Sequence, residues 1–354
     1  MEINNNPLTS LHQHVPVNFP SISHHSDLNG NRTDQKCNIE TTGREGHKEK
    51  LKPKKKDRVI YSIDFIDEEV FAMETGLPNK GIFNAMVKYI EDNQSIIKYH
   101  SKKVTSITLK DQVLITLMKL RHNYTFLHLA QLFGCGRVTV GNIVKTFIDV
   151  LHTFFYKEFF QTIPSRHINQ ASAPASFQDY PNCRIIIDCS DVRISRPKQM
   201  DLQKKTYSHY RGMNSFKFLV GIAPNGYVTF VSKLYGGSTS DKAIFQDCGL
   251  VEQLISGDSI MVDKGFLIHD VVPNGVTVNI PPFLNTPQFT KSEILKTEKI
   301  ARCRVHVERS IARFKNYRIL NHIGPSLKAF ADEIVQVIGV LVNLQPPIIK
   351  RESK

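Results

Sequence analysis

The chain has 354 residues, a formal charge of +13 and a pI near 9.4. The length suits about two domains. The charge points to a polyanionic partner, nucleic acid first and an anionic membrane surface second, with plain solubility as the bland alternative. No run is apolar and long enough to span a bilayer, and the N-terminus lacks the apolar core of a signal peptide. Six scattered cysteines with no Cys-x-x-Cys pair argue against a structural zinc site and suit a reducing, intracellular setting.

Residues 1–58 are rich in Asn, His, Ser and Lys without apolar periodicity, and read as a disordered basic region. They end in a Lys-rich run, 48–58, which suits a nuclear import signal, a phosphate-binding arm or a solvated linker. Residues 59–106 form a helical lead-in: Phe65, Val70 and Phe71, then Phe83, Met86, Val87 and Ile90, recur at helical spacing around a break at Gly76-Leu77-Pro78.

Residues 107–160 predict three helices. Thr108 and Asp111 suit a capping box with Asp in place of Glu, ahead of an apolar helix through Leu120. Thr125 caps a second helix, Phe126–Phe133, and Gly134-Cys135-Gly136 makes a turn. A third helix starts at Arg137 or Thr139, with Val140, Ile143, Val144, Phe147, Ile148 and Leu151 inward. This is helix-turn-helix spacing, with Arg137, Thr139, Asn142 and Lys145 facing outward; an ordinary three-helix bundle has the same spacing.

From 184 the pattern changes to strands. Arg184–Ile187 reads as a strand buried on both faces that ends at Asp188, followed by a short strand Val192–Ile194. Phe216–Ile222 and Tyr227–Leu234 flank an Asn225-Gly226 hairpin turn. Ser240 or Asp241 caps a helix over 242–255; Ser259–Val262 is a strand ending at Asp263; Val276–Ile280 is the last strand, and Ser292–Tyr317 a long helix. The order predicts a mixed α/β sheet with flanking helices and acids at the ends of its first and fourth strands.

A carboxylate at the end of a buried strand is costly unless a hydrogen-bond network or a cation meets it. Asp188, Asp263 and Glu308 brought into one cleft would raise each other's pKa unless divalent ions neutralised them. An oxygen-only set suits Mg²⁺ or Mn²⁺, and two such ions support phosphodiester cleavage. Arg304, Glu308 and Lys315 share one helix face, where the bases could hold phosphates beside the acid or simply form salt bridges with it.

Five stretches carry a family resemblance: IIIDCSDV, KFLVGIAPNG, YGGSTSD, SIMVDKGF and RCRVHVERSIARFKNYRIL. The region 176–342 resembles the DDE superfamily endonuclease domain of PIF/Harbinger-type transposases. LKDQVLITLMKLRHNYTFLHLAQLFGCG resembles the helix-turn-helix that precedes it. The resemblance implies a ribonuclease H-like fold over 180–343, a tail over 344–354, and a nuclear enzyme that cuts and joins transposon ends and target DNA with Mg²⁺ or Mn²⁺. It makes Asp188, Asp263 and Glu308 the catalytic metal ligands, and Asp241 an auxiliary ligand or a helix cap. Arg304 and Lys315 match the bases of the Arg-x₃-Glu-x₆-Lys signature of bacterial insertion-sequence transposases, but its opening Tyr is Ala301 here. Asp191 replaces an expected Glu, and Gly136 replaces a capping Ser or Thr. Many relatives carry an N-terminal zinc-coordinating THAP domain; the first 106 residues here hold only Cys37, so that module is absent. DNA ends must then be recognised by the helix-turn-helix, the basic arm or a separate partner protein, and pairing of two ends suits a homodimer. A domesticated descendant that binds DNA without cutting it fits the same residues, and an RNA-directed ribonuclease fits the fold alone.

Overall fold

The computed structural model describes residues 61–284 and 288–349; the basic N-terminal run and most of the C-terminal tail lie outside the described residues. Helices α1 (Glu68–Thr75) and α2 (Lys80–Asp92) form the lead-in. They break at Gly76, whose φ of 76° is left-handed and suits glycine. Helix α3 (Leu109–His122) is buried almost all round. Its Thr108 hydroxyl accepts from Asp111 N, but Asp111 does not return the bond as a capping box would. Its carboxylate accepts from the Thr108 hydroxyl at 2.8 Å, and from Ile63 N and Ser62 Oγ, both at 3.0 Å, which ties the lead-in to α3.

Helices α4 (Phe126–Leu132) and α5 (Arg137–Leu151) follow the predicted boundaries closely. Gly136 is the N-cap of α5 and offers no side-chain cap. Helix α5 runs on through a π-helical turn, His152–Tyr156, where the Tyr156 hydroxyl donates to Val231 O at 2.7 Å. Helix α6 (Arg166–Ser172) leads into the sheet.

Strand β1 (Cys183–Arg193) is continuous, so Asp188 lies in mid-strand rather than at an end. The sequence reading broke the strand at the polar run Asp188–Asp191. Antiparallel pairing with β3 (Met213–Ile222) carries it straight through, Asp188 opposite Val220 and Arg193 opposite Ser215. Between them lie α7 (Met200–Thr206) and the short edge strand β2 (Tyr207–Ser208). Beyond the Asn225-Gly226 turn, where Gly226 has φ +87°, come β4 (Val228–Val231), shorter than the expected Tyr227–Leu234 strand, and β5 (Tyr235–Gly236), just past its expected end. Helix α8 (Asp241–Asp247) is shorter than predicted and is followed by a 3₁₀ turn at Val251–Gln253. Strands β6 (Ser259–Met261) and β7 (Thr277–Asn279) are parallel to β1, and the sheet order is β2-β3-β1-β6-β7 with β4 and β5 paired to β3. Helix α9 (Lys291–Lys315) starts with a full capping box, Thr290 with Glu293. Helix α10 (Ala331–Asn343) closes the fold.

Alternation along β1 splits the core between two layers. Ile186 and Val192 join α3, α5, α9 and α10 in one continuous core, whereas Ile185 and Ile187 pack with Leu219, Phe230, Ile244 and Ile260 on the other face. The fold is therefore a mixed α/β sheet covered on both faces, preceded by an all-α region.

Candidate metal centre and nucleic-acid interface

Two neighbouring strands position the first two acids. The parallel register puts Ile186 beside Met261, so two residues further on Asp188 and Asp263 fall side by side. Asp188 shares the parity of Ile186 and Val192, the face that α9 covers. From α9, Arg304 Nη1 lies 3.0 Å from Asp263 Oδ1 and its Nη2 lies 4.0 Å from Glu308 Oε1. A largely buried guanidinium thus stands between two half-exposed carboxylates, and its Nε has no partner.

Asp188 accepts one hydrogen bond, from Cys189 N at 2.8 Å. Burial pushes its carboxyl up to about 6; the Cys189 amide and Arg304 work against that rise, and the charges of Asp263 and Asp241 add to it. The structure thus brings Asp263 and Glu308 onto Arg304 and sets Asp188 within electrostatic reach of Arg304, Asp263 and Asp241. Among the described residues no three acidic, His or Cys side chains form a ready cluster around an ion. Arg304 supplies the positive charge at this place. The spacing left phosphate contact and a salt bridge with Glu308 both open for Arg304; the buried guanidinium faces Glu308 and also pairs with Asp263, which compensates its charge.

Asp241 stands close enough to Asp188 for its charge to raise that carboxyl. The cap of α8 is Ser240, whose Oγ accepts from Ala243 N, so the helix-cap alternative for Asp241 falls away. Asp241 pairs with Lys217 at 3.1 Å, and Lys217 also donates to Thr239 O. Lys315 is exposed on the Arg304–Glu308 face, about 10 Å beyond Glu308 at 1.5 Å per residue.

The donor chemistry fits a hard divalent cation. All three acids offer oxygen only, and the strain on Asp188 comes from burial and like charge, which a cation relieves.

The four outward residues assigned to the helix-turn-helix have different fates. Arg137 is exposed, and Thr139 and Lys145 are half-buried. Asn142 is committed to the protein: its Oδ1 accepts from Ser101 N at 2.9 Å and its Nδ2 donates to Lys102 O at 2.8 Å. The C-terminal half of α5 packs on the nuclease-side helix α10, with His152 Nε2 2.7 Å from Gln336 Oε1. Only the first turns of α5 are open to a groove. Replacing Arg137 and Lys145 together by Ala is expected to lower the salt slope of duplex binding by about 2. Asn142→Ala should lower the melting temperature and leave the slope unchanged. Titrations of duplex DNA at several salt concentrations check both.

The sequence reading missed the partner of Arg304 and the aromatic surroundings of Lys264. The Nζ of Lys264 lies 5.2 Å from the ring centre of Phe283 and 5.9 Å from that of Phe289. Only its place next to Asp263 could have drawn attention to it.

The arrangement defines a class: a mixed α/β protein with an acidic, arginine-bridged site, preceded along the chain by a three-helix region with helix-turn-helix spacing. Residues 187–343 match the family model of the DDE superfamily endonuclease, and residues 105–155 match that of the helix-turn-helix of DDE superfamily endonuclease. These two stretches are thus similar to the DDE superfamily endonucleases and to their helix-turn-helix, the second lying ahead of the first along the chain. No curated protein and no solved structure matches it. Among the described residues, no helix is long and apolar enough to cross a membrane.

Proposed function

We infer that the protein is a transposase-type, metal-dependent DNA endonuclease and strand transferase acting on transposon ends. The observation that carries this reading is that Arg304 faces Asp263 and Glu308 and acts electrostatically on Asp188, in a region similar to the DDE superfamily endonuclease. The strand order, with β1 between antiparallel β3 and parallel β6, supports the ribonuclease H-like expectation.

Asp188, Asp263 and Glu308 are the residues that would hold divalent ions, Mg²⁺ or Mn²⁺. When bound, such ions supply activation of the attacking oxygen and stabilisation of the leaving one. The chain's own side chains do the rest. Strand β1 fixes Asp188 rigidly, Arg304 holds Asp263 and Glu308 in register, and Lys315 offers a charge to the DNA backbone. Asp241 remains an auxiliary at most, balanced by Lys217. The helix-turn-helix supports DNA binding; a homodimer or a partner protein would bring the two ends together.

The test is purified protein with Mn²⁺ and DNA bearing terminal inverted repeats of the kind such an element would carry. Nicked and joined products are expected; binding without either product ends the nuclease reading. A second reading, a domesticated DNA-binding protein without cleavage, is favoured by one observation: Arg304 already neutralises two of the three acids. Under that reading Asp188→Ala changes no DNA-dependent phenotype.

The site of action would be the nucleus. Deleting the Lys-rich run 48–58, outside the described residues, is expected to abolish nuclear accumulation of a tagged protein. Unchanged nuclear entry on imaging removes the import claim.

A further inference from the structure

The segment between β1 and β3 does nothing for the carboxylate site, yet it is strongly basic. Residues 193–212 carry six Lys or Arg and a single acid, Asp201. A run like this is usually a solvated face. Here it folds around a concavity: a cleft of about 540 Å³ lined by Arg193, Arg196, Lys204, Tyr207 and His209, among others. That volume falls in the range of about 300–1,000 Å³ typical of ligand sites.

The cleft wall is built rather than loose. Asn214 Nδ2 donates to Gln203 O at 3.0 Å and to Thr206 Oγ1 at 2.9 Å, clamping α7 to β3. Gln203 Oε1 in turn accepts from Arg196 Nε at 2.9 Å and holds that guanidinium in place without neutralising it. Among the described residues, none of Arg193, Arg196 and Lys204 has a carboxylate within ion-pair distance. Three exposed cations left unpaired around one concave surface favour an anionic occupant.

Aromatic faces narrow the choice. Tyr207, 38% exposed, meets the His209 ring edge-on at 5.2 Å, and Tyr210 is 87% exposed with the Arg211 guanidinium 4.8 Å from its ring centre. Unpaired cations interleaved with open aromatic rings suit phosphates and unstacked bases, the signature of single-strand binding. In a duplex the bases are stacked and present no face to a tyrosine.

We propose that the cleft between the end of β1 and the α7–β2 segment binds an unpaired DNA strand, phosphates on Arg193, Arg196 and Lys204 and a base on Tyr207. Naming DNA rests on the endonuclease reading above. Arg193 lies five residues along β1 from Asp188, about 17 Å, or roughly five base steps. That places the cleft where a strand freed beside the cutting point can be held away from the carboxylates.

The experiment uses full-length protein in EDTA and a fluorescent oligo-dT of about 12 nucleotides. Binding is followed by anisotropy across a salt series, in parallel with a duplex. Arg196→Gln combined with Lys204→Gln should weaken oligo-dT binding at least tenfold and lower its salt slope by about 1.4, with duplex binding unchanged. Tyr207→Ala should weaken it by about fivefold or more, and Tyr207→Phe should restore wild-type binding. Thermal melts confirm that each variant is folded. Wild-type affinity in the charge variant overturns the proposal. So does equal loss of duplex and single-strand binding, or a Tyr207→Ala that binds like wild type. Because the titration is run without metal, a protein that binds oligo-dT here but cleaves nothing in the Mn²⁺ test keeps this site and loses only the nuclease reading.

Discussion

Asp188→Asn is expected to cut metal-dependent cleavage by on the order of a thousandfold or more, while duplex binding stays at the wild-type level. The substitution keeps the shape of the side chain and its place on β1, so the helix-turn-helix, which Asp188 does not touch, is undisturbed. Stability moves in the opposite direction. The folded protein holds the Asp188 proton up to about pH 6, against an ordinary value of 3.8. Between those values the folded state binds more protons than the unfolded chain, so stability falls as the pH rises through that window. The full deficit applies above pH 6. Two pH units correspond to nearly 3 kcal/mol; partial solvation reduces this to about 2 kcal/mol. In EDTA the Asn variant should therefore melt several degrees above wild type at pH 7 to 8, and the two should converge near pH 4. Added Mg²⁺ should raise the wild-type melting temperature and leave the variant unmoved. Parallel melting curves across this range, or a variant that still responds to Mg²⁺, contradict the metal assignment.

What could be read in advance depended on whether a signal was local. The helices of 107–151 were legible because Thr108, Thr125 and the Gly134–Gly136 turn mark their ends and the apolar residues keep helical period. The long α9 and the last strand were legible as well, to within two residues at each end. Strand β1 was misjudged at Asp188 because four of its residues look polar from the sequence, and only the ten-residue partner β3 shows that the ladder continues. Helices α6, α7 and α10 went unread. At the carboxylate site, the three acids could be named from motif resemblance. Their adjacency could not, since it depends on the parallel register of β6 against β1. The role of Arg304 was hidden too. Helical spacing puts it near Glu308, but nothing along the chain says that it also reaches Asp263. Asn142 shows the converse: it has the right spacing for a groove contact, and tertiary structure has already claimed its amide.

The register that joins Asp188 to Asp263 has its own fastening, and breaking it should be the most damaging single change for the fold. The Asp258 carboxylate is fully buried, 2.6 Å from Arg184 Nη1 and 3.4 Å from Arg166 Nη1, and accepts from Ile255 N at 3.0 Å. Arg184 opens β1, Asp258 immediately precedes β6, and the parallel pairing has an irregularity between Cys183 and Ile185. The ion pair therefore sits where the backbone ladder is weakest and sets how far β6 slides along β1. Asp258→Ala leaves the Arg184 guanidinium buried with only the Pro164 and Ile163 carbonyls to satisfy it. Removing one partner of a buried pair costs about 3–5 kcal/mol, a large share of the roughly 5–15 kcal/mol that holds a folded domain together. Urea unfolding should show that loss, and hydrogen exchange should show faster opening of the β1 amides around Asp188. Replacing both residues, Arg184→Met with Asp258→Leu, should recover much of the stability, because the cost lies in the orphaned charge rather than in the missing attraction. A loss below about 1 kcal/mol for Asp258→Ala, or a double variant no better than the single one, would mean that the strand register is held elsewhere.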